Sequence, residues 1–151
     1  MKKLLFTLII YVISLNASAQ FVAKIQLKED ILGICDKNEV YALFSSFDGQ
    51  VEAICPVSDD EILEKLNTQV QFIKDNPKHK DKGMMGVLIN CKGIVVRCEI
   101  DNKTKKPELD KQIEDVFNSL GEWKSGKLNG KDVDSNRLFS FVIKNGKFAF
   151  D

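Results

Sequence analysis

Apolar and polar positions between Met84 and Ile143 change their period twice. Met85, Val87, Ile89 and Cys91 alternate with polar or opposite-face residues, as do Ile94, Val96, Cys98 and Ile100, and Lys92-Gly93 between the two runs predicts a hairpin. Leu109, Ile113, Val116, Phe117 and Leu120 then fall at helical spacing. With Pro107 in the first turn and Gly121 just past the end, they predict a helix over 107–120. Alternation returns at Phe139, Phe141 and Ile143, in a strand over 137–144. Asn145-Gly146 predicts a two-residue turn, and 147–150 a short returning edge strand. Upstream, Ser58 with Glu61 forms a capping box, and Ile62, Leu63, Leu66, Val70 and Ile73 predict a helix over 59–74 that Asn76-Pro77 stops. Short apolar runs at 31–35, 40–44 and 51–55 read as strands and turns.

A tight hairpin turn puts its two apolar sets on one face, where the helical stripe can bury against them. The expected fold is therefore α+β: two layers, with an antiparallel sheet of three to four strands packed against two helices. The expected organisation is a leader over 1–19, a strand and turn segment over 20–56, and the main domain over 57–151.

Several elements in this region occur in a specific order. Leu109-Asp110 opens the helix, Trp123-Lys124-Ser125-Gly126 follows it, and Gly130-Lys131-Asp132-Val133 precedes the last strand, Leu138 to Ile143. Together with the glycine-turned hairpin, this run resembles the C-terminal domain of TonB-type energy transducers. Ser125 stands where proline is usual in that family. Val40-Tyr41 and Gly49-Gln50 lie where relatives often carry Val-Tyr and Gly-Gly. The resemblance implies a non-catalytic domain that captures an extended peptide of an outer-membrane receptor by adding it as a strand at a sheet edge. Arg137, Phe139, Phe141 and Ile143, or the terminal strand, would supply that edge. It also implies structural roles for Leu109, Gly126 and Gly130. Only three prolines occur, so a proline-rich spacer is not visible, and the expectation is the receptor-facing end of such a machine without the parts that drive it.

Lys2 and Lys3, the apolar stretch Leu4 to Leu15 and the small residues Ala17-Ser18-Ala19 read as a signal peptide cleaved after Ala19. A spanning helix wants about 20 apolar residues, and Asn16, Ser18 and Gln20 interrupt the run before that. The expected location is the periplasm or the exterior, with no membrane embedding after cleavage. The chain carries 22 basic and 22 acidic residues, interspersed. Nucleic acid wants a concentrated basic face and a membrane surface a polybasic helix, so neither is expected as a partner. Lys78, Lys80, Lys82 and the Lys103-Thr104-Lys105-Lys106 cluster read as solvated loop charge.

All four cysteines fall in the exported part, where disulfides persist. Cys91 and Cys98 sit at different heights of the hairpin, about 13 Å apart at the usual rise, whereas a disulfide wants Cα atoms within about 7 Å. That leaves Cys35 to Cys55 with two buried thiols, or two bridges tying the N-terminal segment to the sheet.

No catalytic, cofactor or metal site is expected. His79, the single histidine, lies in a lysine-rich loop, the cysteine spacings fit no zinc motif, and neither a phosphate loop nor a nucleophile elbow occurs. Trp123 reads as a cap over the helix–sheet core. The leading expectation is a protein-binding domain, with a disulfide-stabilised envelope adaptor or inhibitor as the alternative. A homodimer through the edge strand is compatible with either.

Overall fold

The hairpin before Asn102 forms, and the rest of the chain assembles around it. The computed structural model describes residues 21–151, so the leader expected over 1–19 lies outside the described residues. In chain order the elements are β1 (Ala23–Lys24), β2 (Val40–Ala42), β3 (Gln50–Val51), α1 (Asp59–Gln69), α2 (Gln71–Asp75), β4 (Asp81–Ile89), β5 (Val95–Asn102), α3 (Pro107–Asn118), β6 (Gly126–Leu128), β7 (Lys131–Lys144) and β8 (Lys147–Phe150).

The expected two-layer arrangement of three or four antiparallel strands is corrected by this architecture. Eight strands join in one mixed sheet with the main order β1-β2-β7-β4-β5, while β3, β6 and β8 attach off that path. Among the described residues three short helices accompany it. The difference has two causes. The N-terminal segment enters the sheet, with β2 running parallel to β7 through Val40↔Asp134 and Tyr41↔Ser135. The strand β7 is also longer than its apolar alternation suggests, starting at Lys131 rather than Arg137. It pairs with β4 from Asp81↔Ile143 to Ile89↔Ser135 and meets β6, β2 and β8 on its other side.

Local signals explain most of the elements themselves. Ser58 and Glu61 form the reciprocal capping box at the start of α1. The helix expected over 59–74 breaks at Val70, whose extended backbone separates α1 from α2. Pro107 occupies the first turn of α3. Asn145 and Gly146 both take positive φ, 51° and 67°, as a primed turn between β7 and β8 requires.

The core lies between one sheet face and the helices. Ile62 and Leu66 of α1, Leu109, Ile113, Val116 and Phe117 of α3, and Met85, Val87, Ile89, Ile100, Phe139, Phe141 and Ile143 of the sheet are all buried there. The phase of β5 differs from simple alternation. Leu88↔Arg97 is followed by Ile89↔Val95, a bulge that leaves Val96 without a register partner. Val95 packs on the core and Ile94 is exposed. Cys91 lies in the connecting loop, beyond the end of β4. Among the described residues no helix is long and apolar enough to cross a membrane.

Candidate functional site

The four residues expected to form a partner-binding edge lie on β7, which has neighbours on both sides. Phe139, Phe141 and Ile143 are buried in the core. Phe139 meets Phe117 at 5.1 Å and Trp123 at 6.2 Å between ring centroids. Arg137 is a clamp. Its Nη1 donates to the Ala53 carbonyl at 3.2 Å, its Nη2 lies 3.6 Å from the Asp59 carboxylate, and its guanidinium stands over the Phe139 ring at 4.8 Å. It thus ties the segment before α1, the start of α1 and the aromatic core together. The β8 return occupies the outer side of β7 from Phe141 to Lys144. An added strand has no continuous row of free backbone groups on β7.

The long free edge is on β5. This eight-residue strand pairs with β4 alone and ends the main strand order. The Ile100 N–H donates to the Glu114 side chain of α3 at 3.0 Å, so it points away from β4. Strand alternation turns the backbone groups of Cys98 outward as well, because an antiparallel ladder uses every second residue on each side. The Cys98 thiol faces the core. Burial, reinforced by the Glu114 and Glu99 carboxylates, pushes that thiol up to about 12, which leaves it inert at neutral pH.

The hairpin loop that feeds β5 is fixed from the other end of the chain. Cys91 is bonded to Cys35, with a Cα–Cα distance of 6.1 Å, while Cys55 and Cys98 are free thiols. Neither pairing left open by the sequence is found as such. Cys35 does not reach Cys55, and one bridge, not two, ties the N-terminal segment to the sheet. The buried Asp134 carboxylate accepts from the Cys91 N–H at 2.9 Å, the Cys35 N–H at 3.0 Å and the Asp36 N–H at 2.8 Å. Asn90 adds its own turn: its side-chain oxygen accepts from the Lys92 and Ile94 N–H groups, and its amide donates to the Gly33 carbonyl. The Cys35, Cys91 and Asp134 ligand atoms lie within 4.8 Å of one another. Two sulfurs bonded to each other offer no thiolate, and the carboxylate is committed to backbone N–H groups, so this cluster acts as a structural pin and not as a metal centre.

The other structural residues occupy defined places. Leu109 and Trp123 are buried in the core. Gly126 leaves no room for a Cβ, which would come within 2.6 Å of Leu43 and Ser135 side-chain atoms. Gly130 and Asn129 have φ of 80° and 51° and form the β6–β7 turn. Ser125 donates its hydroxyl to Asp132 at 2.5 Å. Ser125 and Lys127 together hold the Asp132 carboxyl below its ordinary value.

His79 is not the solvated loop histidine expected. Its side chain is 15% exposed, its Nε2 lies 3.4 Å from Asp81 and its ring meets Phe72 edge-on at 5.0 Å. Sequence reasoning also missed Asp134 and Glu114, since neither sits in a motif and each acts on residues remote in the chain. Comparison with protein-family models, curated proteins and solved structures finds no match to this chain.

Proposed function

We propose that this chain is an exported, non-catalytic protein-binding domain that takes up an extended partner strand along the outer edge of β5. One observation carries the reading: β5 is the longest strand that pairs on one side only. Strand addition needs free backbone donors and acceptors in a row, with neighbouring side chains setting register. The disulfide and the Asp134 carboxylate hold the loop before β5, so the edge is presented on a rigid support. The resemblance to TonB-type C-terminal domains makes the receptor-derived peptide of an outer-membrane transporter the leading partner.

A second reading, an envelope adaptor or inhibitor without a transport role, draws on a different surface. Phe21, Phe44 and Phe47 are 55%, 42% and 42% exposed and lie within 6.3 Å of each other by ring centroids. Gln50 holds them in place by donating to the Phe21 carbonyl and accepting the Phe44 N–H. Exposed aromatics of this kind are favoured at protein interfaces.

Immobilised, disulfide-intact protein and a Val96→Pro variant would be used to capture proteins from envelope membranes. Val96 has no register partner in β4, and proline there takes an N–H from the strand and adds a ring that disfavours the docking of an incoming strand. Recovery of barrel receptors by the native protein and not by the variant supports strand capture in transport. Recovery that is insensitive to Val96→Pro but lost with Phe44→Ser and Phe47→Ser supports the adaptor reading.

A further inference from the structure

The two lysine groups that read as scattered loop charge converge in space. The start of β4, the end of β5 with the loop after it, and the end of β7 border an open cleft of about 520 Å³ lined by Lys80, Lys82, Lys103, Lys105 and Lys144, with Val142 and Ile143 among its walls. Asp81 is the one acid in the lining, and its carboxylate is already engaged. It accepts the Lys82 N–H at 2.9 Å and the Lys105 N–H at 3.0 Å, lies 3.4 Å from His79 Nε2, and its side chain is only 4% exposed. Among the described residues none of the five lysines makes an ion pair.

Five lysines that line one cleft concentrate positive charge there, and the resulting potential draws in counter-anions. The chain as a whole has equal numbers of acidic and basic residues, so the excess is local to this place. We propose that the cleft binds a compact, multiply charged phosphate anion: the diphosphate or oligophosphate group of a soluble molecule, or the phosphorylated head of a lipid. A phosphate monoester carries about −1.5 to −2 charges at neutral pH, so two such groups balance five ammonium groups set against one carboxylate. Lysine suits this ligand, because its compact charge and rotatable donors fit a tetrahedral group without a planar fork. The cleft lies in the size range of small-ligand sites, roughly 300–1,000 Å³. A nucleic acid would need basic charge continuing along a track beyond the cleft, and elsewhere the charges are interspersed. The proposal does not depend on strand capture at β5.

Isothermal titration of the disulfide-intact chain with tripolyphosphate, pyrophosphate and orthophosphate tests it, together with flotation on phosphatidylcholine vesicles with and without phosphatidic acid. Lys82→Gln/Lys105→Gln is the cleft variant and Lys65→Gln/Lys74→Gln, on the helices, the control, each with its melting temperature measured. Pyrophosphate and tripolyphosphate are expected to bind with orthophosphate at least about tenfold weaker, and the cleft variant to lose at least about tenfold in affinity at unchanged melting temperature while the control keeps it. Binding to phosphatidic acid vesicles in the same cleft-dependent way assigns the lipid source; binding of the soluble anions alone assigns a soluble one. No binding to any of these probes, or equal binding by the cleft variant and the native chain, overturns the proposal.

Discussion

The Glu114 side chain accepts the backbone N–H of Ile100 at 3.0 Å, so the helix that covers the core also occupies an outward-facing donor of the edge strand. The Cys98 backbone lies next along the outward side of the strand. Glu114→Gln keeps an acceptor and is expected to change stability by less than about 0.5 kcal/mol. Glu114→Ala frees the Ile100 N–H and is expected to cost about 1–3 kcal/mol. It should also lengthen the open edge, raising self-association measured by sedimentation. Chemical denaturation of the two variants reads the difference.

Cys35–Cys91 closes a large loop, the two cysteines being 56 residues apart. Replacing both with serine is expected to cost about 2–4 kcal/mol. Asp134→Asn should cost about 1.5–3 kcal/mol, because the carboxylate receives three backbone N–H donors while buried. Thermal melts with and without reductant separate the two: Asp134→Asn should lower the melting temperature under both conditions, the serine pair only relative to the oxidised native protein.

Asp81 sets an acid limb. Burial alone would raise its carboxyl, but the Lys105 and Lys82 N–H donors and the charges of Lys105 and His79 outweigh burial and hold it below its ordinary value of 3.8. A group depressed in the folded state contributes stability that is complete above the unfolded value and is lost as pH falls through the folded one. Denaturation midpoints should therefore fall below about pH 4, and Asp81→Asn should flatten part of that fall while lowering stability at neutral pH by about 1.5–3 kcal/mol.

The two free thiols should be silent in the folded protein. Burial raises Cys55, and burial with the Glu114 and Glu99 charges takes Cys98 to about 12. Ellman's reagent at pH 8 is expected to find no fast-reacting thiol in native protein and two after denaturation without reductant. A fast-reacting thiol in the native state would contradict the burial of both.

The sequence was most legible where structure is local. The Ser58–Glu61 capping box, Pro107 at the start of α3 and the Asn145-Gly146 turn act within a few residues of themselves, and each appears in the fold. Asn129-Gly130 carries the same turn signal and closes the β6–β7 hairpin, which the grouping of Gly130 with Lys131-Asp132-Val133 does not predict. The parallel pairing of Val40 with Asp134 joins segments far apart in sequence and leaves no periodic trace. This pairing, with the β8 return, makes β7 internal and moves the open edge to β5. The alternation of Phe139, Phe141 and Ile143 reports which face is buried, not whether the backbone edge is free, and the two properties are independent in a strand. The lysine cleft was hidden for the same reason, since β4, β5 and β7 contribute to it from three separate stretches.

The most direct test of the central claim is residue-resolved amide hydrogen exchange on β5, in the disulfide-intact chain alone and with a captured receptor peptide. The Cys98 amide should exchange much faster than that of Arg97 in the free protein and become protected when the peptide is added, with the Val96→Pro variant showing no such protection. A Cys98 amide already as protected as Arg97 in the monomeric free chain, or unchanged by a peptide that binds, would contradict strand capture at this edge.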